Sequence, residues 1–440
     1  MLKVLSSEFF NFEFLRVLGT APSHGCDIGE CFEAAAKIRS SDGESWYRAW
    51  SEAARKAEAV AKQATDSGDA VAARWAYLRA SNYWRSSELM LRKPVPEQDP
   101  RQLETISKSV DNFKQACALL DTPVDFLEIP FGDDGAHLPG YLFLPTPAQR
   151  TGAANGKIPV VVQVQGFDTT AEEFYHFTVA GALPRGYAVL TFDAPGQGIV
   201  GRREKHRLHL RGDFEVVMHA VLDTLWAHAA SSPSCRDLLD LDRVAILGNS
   251  MGAYFALRSA ASDDRIRACV ASDGFYDLGA QARERIPGWF RYLSRSIVDR
   301  IMGLALRFSA YQAQWEMGHA IFALGASSPS DAVDKMQGFT LNRPDGTSML
   351  ANIACPTLVT DARDTLFRLE AQRIYDNLTQ LKDGESKVMW NPKGVGQGSL
   401  QAKVAAFSHL HAMMFGWLDG VFGISRPVLL EQGGGGEPDK

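Results

Sequence analysis

Two patterns of apolar and polar residues divide the chain. From residue 30 to about 120, apolar residues recur at helical spacing in a sequence rich in Ala, Arg and Glu, which predicts a set of amphipathic helices. The polar stretch Asp66-Ser67-Gly68-Asp69 separates two of these helices. We expect the aromatic side chains of this region to pack between helices: Trp46, Trp50, Trp75, Tyr77, Tyr83 and Trp84.

After Pro123 the pattern changes to short β-rich runs that alternate with helical stretches. IPVVVQV and RVAILG are nearly continuous apolar runs, as expected for parallel strands that are buried on both faces. This alternation predicts an α/β fold with a doubly wound, mostly parallel sheet. FLEIPF and GYLFLP predict an antiparallel hairpin at its start, residues 354–361 and 386–391 two later strands, and residues 400–421 a last helix.

Residues 278–345 interrupt the alternation with a helical, aromatic sequence, which predicts an insertion that covers the site as a lid. We therefore expect five segments: a helical N-terminal cap domain (1–122), the first part of an α/β core (123–277), a helical lid insertion (278–345), the second part of the core (346–423) and a disordered tail (424–440).

Composition and charge exclude several classes of function. The 440 residues carry a net charge of −6 with no long basic run, which argues against nucleic-acid binding. No stretch of 18 apolar residues predicts a membrane span, and the N-terminus does not resemble a signal peptide. The six cysteines are scattered, which favours reduced thiols in a cytoplasmic protein. No residue spacing predicts a metal or a cofactor.

The sequence Gly248-Asn249-Ser250-Met251-Gly252 lies between a predicted strand and a predicted helix. In that context G-x-S-x-G is typical of a nucleophilic serine on a sharp turn, with Ser250 as the nucleophile. The backbone N–H of Met251, at the start of the helix, is the first candidate donor to an oxyanion. The second is the N–H of Phe167, in the loop after VVVQV, where Gly166 permits close approach of the backbone.

QGFDTTAEEF, TFDAPGQG and ILGNSMGA, in this order behind a helical N-terminal region, resemble one branch of the α/β-hydrolase superfamily. That branch includes bacterial 2,6-dihydroxypseudooxynicotine hydrolase and fungal hydrolases of polyketide gene clusters, of the pigment chain-shortening, fusarin and cytochalasan types. The resemblance implies the α/β-hydrolase fold and a small, polyketide-like substrate. It does not define the substrate, and it leaves a homodimer open.

In this fold the acid of a catalytic triad follows the nucleophile in sequence, and the histidine follows the acid. The loop after ACPTLVT offers Asp364 as the first candidate acid and Asp361 as the second. The family pattern can also be aligned so that the acid falls one place later, at Thr365. A structural role for both aspartates, as caps or partners of Arg363, is the alternative.

The loop after SKVMWN, in which the base is expected, contains no histidine. Where relatives carry one, this chain has Gly398. The nearest histidines, His409 and His411, fall in the predicted last helix. Either His409, or less favourably His411, reaches Ser250 as the base, or Ser250 has no conventional triad.

Three further residues are candidates for the substrate pocket: His176, Trp289 and His319. A structural role is the alternative for the two histidines. The aromatic lid favours a bulky, apolar substrate.

We therefore expect an enzyme of secondary metabolism that acts on a polyketide or polyketide–amino-acid intermediate by serine-dependent C–C or ester hydrolysis, or by acyl transfer. The alternatives are a non-hydrolytic cyclase or isomerase with a degenerate triad, and a catalytically silent binding protein.

Overall fold

Eight strands form one mixed, mostly parallel sheet in the computed structural model, which describes residues 3–132, 135–150 and 156–426. The order across the sheet is β1-β2-β4-β3-β5-β6-β7-β8. The strands are β1 (Val124–Pro130), β2 (His137–Phe143), β3 (Ile158–Val164), β4 (Ala188–Phe192), β5 (Leu239–Asn249), β6 (Ala268–Ser272), β7 (Thr357–Thr360) and β8 (Lys387–Trp390).

The strands alternate with helices as the hydrophobic pattern predicts. β1 and β2 form the predicted antiparallel hairpin, and β2 also pairs antiparallel with β4. The pairings β4–β3, β3–β5, β5–β6, β6–β7 and β7–β8 are all parallel. β3, β4 and β6 are buried along their whole length, because helices cover both faces of the sheet. The carboxyl ends of the parallel strands therefore meet at one edge.

Fourteen α-helices lie in the described residues. They are α1 (Glu8–Leu18), α2 (Ile28–Ala35), α3 (Gly43–Ser67), α4 (Ala70–Glu88), α5 (Arg101–Ala118), α6 (Ala180–Ala182), α7 (Glu215–Ser231), α8 (Met251–Ala260), α9 (Leu278–Glu284), α10 (Arg295–Arg307), α11 (Tyr311–Leu324), α12 (Pro329–Met336), α13 (Ala371–Asn377) and α14 (Phe407–Phe422).

The N-terminal region is helical, as expected. The polar turn predicted between two helices is present: α3 ends at Gly68, which has a φ of 79°, and the Asp69 side chain caps the start of α4. α1 was not predicted, although Phe10, Phe14 and Val17 recur at helical spacing and are buried. This helix contributes three residues to the site described below.

α9 to α12 lie between β6 and β7, in the segment where the sequence predicts a lid. α11 is buried at Trp315 and along its whole C-terminal half, which includes His319 and Phe322. α10 buries only Val298. The inserted helices therefore join the rest of the protein mainly through α11, whose Trp315 contacts Phe9 and the Leu89 carbonyl in the N-terminal region.

The last helix begins at Phe407, not near residue 400 as predicted. Ala402, Lys403 and Ala405 have φ values of 55°, 57° and 63°, in the left-handed region that non-glycine residues rarely adopt. A helix cannot continue through such residues, so residues 401–406 form an irregular segment before α14.

Three further expectations from the sequence concern the C-terminal tail, the cysteines and membrane-spanning helices. Most of the predicted disordered tail, residues 427–440, lies outside the described residues. All six cysteines are described and unbridged, and five are buried. Across the described ranges, none of the helices combines the length and apolarity that crossing a membrane requires.

Candidate active site

Ser250 lies on a strained turn between β5 and α8, with φ 57° and ψ −119°. Its backbone N–H donates to the carbonyl of Ser272 at 2.8 Å, which ties the turn to the end of β6. A Cβ atom at Gly248 would lie 1.9 Å from the carbonyl oxygen of Gly252, and one at Gly252 would lie 2.6 Å from that of Val164. The two glycines of the motif are therefore required for this close packing.

The two candidate oxyanion donors lie on either side of Ser250. Met251 is the first residue of α8, and Phe167 lies in the loop after β3. Neither N–H donates a hydrogen bond to any residue within the described ranges, whereas the neighbouring Gly166 N–H is occupied by Thr169 Oγ1 at 2.8 Å. Both residues line the same cavity as Ser250. The arrangement fits an oxyanion hole, and that role stays a prediction.

Buried side chains support the Phe167 loop from behind. The Gln197 side-chain amide donates to the carbonyl of Gly166, and His319 Nε2 lies 2.9 Å from the carbonyl of Phe167. Arg92 Nε donates to His319 Nδ1 at 3.3 Å, so the imidazole proton lies on Nε2 and points to Phe167. Burial, with the nearby Arg92, lowers the pKa of His319 to about 3, so the ring is neutral. His319, predicted in the substrate pocket, instead positions the loop, and it is absent from the described cavity lining.

Gln401 hydrogen bonds to Ser250. Its Nε2 donates to Ser250 Oγ at 3.1 Å, and its Oε1 accepts from Thr365 Oγ1 at 3.0 Å. Gln401 comes from the segment after β8 and Thr365 from the loop after β7, so the two occupy the places expected for the base and the acid of a triad. The chain thus has a Ser-Gln-Thr relay in the position of Ser-His-Asp.

A carboxamide cannot perform the task of the missing histidine. It carries donors on nitrogen and an acceptor on oxygen, but neither atom takes up or releases a proton near neutral pH. This holds for either orientation of the Gln401 amide. General-base activation of Ser250 requires a group whose pKa lies near the working pH, and Gln401 is not such a group.

The predicted acids lie beside this relay and are bound to other partners. Asp364 accepts from Ser399 Oγ at 2.6 Å, and its backbone N–H donates to the Ser399 carbonyl at 3.0 Å. It thereby joins the loops after β7 and β8. Asp361 accepts from the Ala362 N–H at 2.9 Å, a local turn contact.

The predicted histidines lie in α14, away from the Ser250 hydroxyl. His409 packs against Trp390, with ring centroids 5.7 Å apart, and it is half-buried. His411 is buried, and its Nε2 lies 2.7 Å from the carbonyl of Phe177. Burial lowers the pKa of His411 to about 4. The Ser250 hydroxyl is therefore contacted by Gln401 where the prediction placed His409.

A fully buried ion pair fixes the segment that carries Gln401. Lys403 Nζ lies 2.7 Å from Asp273 Oδ1 and donates to the carbonyl of Asp361 at 2.7 Å. Asp273 Oδ2 accepts from the Ala402 N–H at 2.7 Å, and Asp273 Oδ1 also accepts from Thr360 Oγ1 at 2.7 Å. These bonds offset the strain of the left-handed residues 402, 403 and 405. Sequence reasoning missed this pair, because the two residues lie 130 positions apart with no shared motif.

A cavity of about 190 Å³ lies over Ser250. Its walls come from α1, the strand-end loops, the inserted helices α9, α11 and α12, and the Gln401 segment. The apolar lining residues are Phe12, Phe167, Phe177, Met251, Phe275, Leu278, Ala282, Trp315, Met336, Phe367, Leu369, Ala402 and Val404. Such a lining suits an apolar ligand with a few polar groups.

Two predicted pocket residues lie elsewhere. His176 is buried, its Nδ1 lies 3.1 Å from Ser23 Oγ, and burial lowers its pKa to about 3. Trp289 is 53% exposed and packs edge-on against Phe290. Neither is among the described residues that line the cavity. His176 is a packing residue, and Trp289 lies on the outer surface of the lid.

Sequence reasoning also missed the charged residues that α1 brings to the cavity, Glu13 and Arg16. Arg16 bonds to Asp168 of the Phe167 loop at 2.7 Å. A signal was available, since Glu13 and Arg16 are spaced i, i+3 on the face of α1 that also carries buried aromatic residues.

Comparisons with known proteins agree with this fold. Residues 161–394 match the alpha/beta hydrolase family. The chain is 45% identical to 20-hydroxy-prefusarin hydrolase FUS2 of Gibberella moniliformis over 98% of this chain and 100% of that protein. It is 45% identical to the alpha/beta hydrolase psoB of Aspergillus fumigatus over 97% of this chain and 96% of psoB.

A solved structure of 2,6-dihydroxy-pseudo-oxynicotine hydrolase has the same fold. It is 20% identical with a TM-score of 0.65, over 92% of this chain and 95% of that one. From its strand order, its serine turn and these relatives, the chain belongs to the α/β-hydrolase family.

Proposed function

We propose that this protein is an enzyme of fungal secondary metabolism that promotes a non-hydrolytic ring closure or isomerisation of a polyketide or polyketide–amino-acid intermediate. The observation that carries the proposal is the contact between Gln401 and Ser250, because an amide in the place of the histidine leaves the serine without a general base. The site keeps the backbone N–H groups that can stabilise a negative oxygen, but it lacks a general base that could activate the serine.

In this reaction the N–H groups of Phe167 and Met251 hold a developing enolate or alkoxide oxygen. Preorganised backbone donors in a water-poor cavity stabilise such charge more than water does. Ser250 acts as a hydrogen-bonding group, held in place by Gln401. A substrate that fills the largely apolar cavity would displace water that competes with attack by a carbon nucleophile of the same molecule.

The substrate class is supported by the relatives and by the cavity. One relative is named for its action on 20-hydroxy-prefusarin. The aromatic and aliphatic walls fit such a molecule better than a highly charged metabolite. A homodimer stays a prediction.

Serine-dependent hydrolysis or acyl transfer is the second candidate. It is favoured by the strained Ser250 conformation, which stores energy that a purely structural turn does not require. In that case His409 and Asp364 would have to move to form the predicted triad.

One probe molecule separates the two candidates. N-(3-oxodecanoyl)-L-phenylalanine methyl ester has an enolisable carbon between two carbonyls and an ester. Ring closure gives a cyclic product and methanol, whereas hydrolysis gives the open acid and methanol. Liquid chromatography with mass spectrometry distinguishes the products.

For the non-hydrolytic reaction we expect the cyclic product, and we expect Ser250→Ala to lose about tenfold in rate, the equivalent of one hydrogen bond. A nucleophilic role predicts the open acid for hydrolysis or the cyclic product for acyl transfer, and in either case a loss of about 10³-fold or more in S250A and a phosphonate adduct on Ser250 of the wild-type protein. That second set of results would refute the proposal.

A further inference from the structure

We propose that Glu13 of α1 is the acid–base residue of this site, taking a proton from an enolisable carbon of the substrate and returning it after the new bond forms. The inference rests on the proposed non-hydrolytic function. It supplies the proton-transfer group that the Ser250–Gln401–Thr365 relay lacks.

Glu13 lines the same cavity as Ser250 and Gln401. Its side chain is only 5% exposed, and Oε2 accepts from Arg16 Nη1 at 3.1 Å. Arg16 also bonds to Asp168, the residue after the proposed oxyanion donor Phe167. The end of α1 packs on the Gln401 segment, since a Cβ at Gly19 would lie 2.9 Å from Ala405 Cα. Glu13 thus lines the cavity over Ser250 and is linked through Arg16 to the loop that carries Phe167.

Glu13 belongs to a buried cluster of charged side chains, which adjoins a second buried group of Arg92, Glu88 and Arg202. Two guanidinium groups, Arg16 and Arg85, face three carboxyl groups, Glu13, Asp168 and Glu173. The cluster joins α1, α4 and the loop after β3, and all five residues are buried or nearly so. Because a buried charge is costly unless it is paired and hydrogen-bonded, the carboxyl group with the weakest contacts is the one favoured in its neutral form.

The contacts identify Glu13 as that carboxyl group. Glu173 accepts from Arg16 at 2.7 and 2.6 Å and from Arg85 at 2.8 Å, and Asp168 accepts from Arg16 at 2.7 Å. The Glu13 contact with Arg16 is longer, at 3.1 Å.

The pKa shifts agree with these contacts. Burial raises the pKa of Glu13 to about 7, with Arg16 and Arg85 acting against the shift and Asp168 and Glu173 adding to it. Burial also acts to raise the pKa of Asp168, but the opposing effect of Arg16 and Arg85 is larger and holds this pKa below its usual range. Glu13 can therefore both accept and release a proton near neutral pH.

The other carboxyl groups of the cavity are less suited. Asp273 is held by Lys403, Thr360 and the Ala402 N–H, so its charge is compensated and its oxygens are occupied. Glu316 accepts from Gln312 at 2.8 Å and pairs with Arg285 at 3.3 Å, and it is 23% exposed.

The proposed step conserves atoms and electrons. The Glu13 carboxylate takes a proton from the carbon between two carbonyls, and the C–H electron pair becomes the enolate. That carbon forms a C–C bond with another carbonyl carbon of the same molecule, and the π pair moves to its oxygen. The Glu13 carboxylic acid then returns the proton to this oxygen, or to the alkoxide that leaves when the carbonyl is an ester.

The test compares Glu13→Gln with wild type and with the control Glu8→Gln, which changes an exposed glutamate on the same helix. Exchange of the C2 protons of N-(3-oxodecanoyl)-L-phenylalanine methyl ester is followed by NMR in D₂O, and ring closure by mass spectrometry, between pH 5 and 9. Thermal unfolding verifies that each variant folds. A second variant, Glu13→Asp, keeps the carboxyl group on a shorter side chain.

We expect E13Q to lose about 10²-fold or more in both rates, E13D to recover part of the loss and E8Q to match wild type. The wild-type rate should rise with pH through about 7, because the carboxylate is the active form, and E13Q should lack this rise. A folded E13Q that keeps the wild-type rate and pH profile overturns the role of Glu13 and leaves the proposed function in place. Wild-type protein that accelerates neither exchange nor closure contradicts the proposed function, and the role of Glu13 with it.

Discussion

The side-chain amide of Gln401 donates to the hydroxyl of Ser250 at 3.1 Å, in the place where a catalytic histidine is expected. Thr365 in turn hydrogen bonds to Gln401 at 3.0 Å, in the place of the acid. The geometry of a triad is thus retained with side chains that do not exchange protons near neutral pH.

Restoring the triad chemistry should create a hydrolase. We expect the double substitution Gln401→His with Thr365→Asp to raise hydrolysis of the probe ester about 10²-fold or more over wild type, because the introduced imidazole would gain an orienting carboxylate. Release of the open acid, quantified by mass spectrometry, measures the effect. The matched control adds Ser250→Ala to the same pair and should abolish the gain. A double variant with no gain would mean that Ser250 is not placed for attack.

Removing one partner of the buried Lys403–Asp273 pair should destabilise the protein strongly. Lys403→Met leaves the Asp273 carboxylate fully buried without its cation, which costs about 3–5 kcal/mol of unfolding free energy. Urea denaturation measures the loss, and the double variant with Asp273→Leu should recover part of it. Lys62→Met, which removes an exposed partner of Asp66, should leave stability nearly unchanged. Equal effects of K403M and K62M would refute a structural role for the buried pair.

The stability of the wild-type protein should depend on pH through Glu13. Burial raises the Glu13 pKa from 4.5 to about 7, so between these values the folded state holds a proton that the unfolded state has lost. The stability of wild type relative to E13Q should therefore fall as pH rises from about 4.5 to about 7, by about 3 kcal/mol in total. Parallel denaturation series of the two proteins measure this difference. A difference that does not change with pH would show that Glu13 is already ionised at pH 5.

His319 should act on the rate through the Phe167 loop. His319→Phe removes the donor to the Phe167 carbonyl and leaves Arg92 Nε without its acceptor, while the pairing of Arg92 with Glu88 stays. We expect ring closure to slow about tenfold or more, with KM changed less than kcat, because the displaced N–H group acts mainly in the transition state. His409→Phe is the control, because His409, in α14, packs against Trp390 at the end of β8. If H409F slows the reaction more than H319F, the predicted triad is the better account.

The fold was predictable because its signals are local. β3 and the end of β5 are continuous apolar runs, and the Gly248–Ser250–Gly252 turn has a fixed spacing between a strand and a helix. The sequence misplaces the start of α14, because alanine and lysine, the residue types at 402 and 403, do not predict a left-handed backbone. Their conformation comes from the long-range bonds to Asp273.

The site was predictable only where a motif defines it. Ser250, Met251 and Phe167 follow from strand–turn–helix patterns. Gln401 could not be predicted, because the motif of this fold has a histidine as the base and a lone glutamine has no signature in sequence. Glu13 was missed because its environment depends on Asp168 and Glu173, more than 150 residues away, which only tertiary packing brings to α1.

The central claim is that this site closes or rearranges a carbon skeleton without water as a reactant. Incubation of the wild-type protein with N-(3-oxodecanoyl)-L-phenylalanine methyl ester in H₂¹⁸O tests it directly, because hydrolysis places one ¹⁸O atom in the product acid and ring closure consumes no water. The account predicts the cyclic product with no enzyme-dependent ¹⁸O-labelled acid. Formation of ¹⁸O-labelled acid by wild type, lost in S250A, would contradict it.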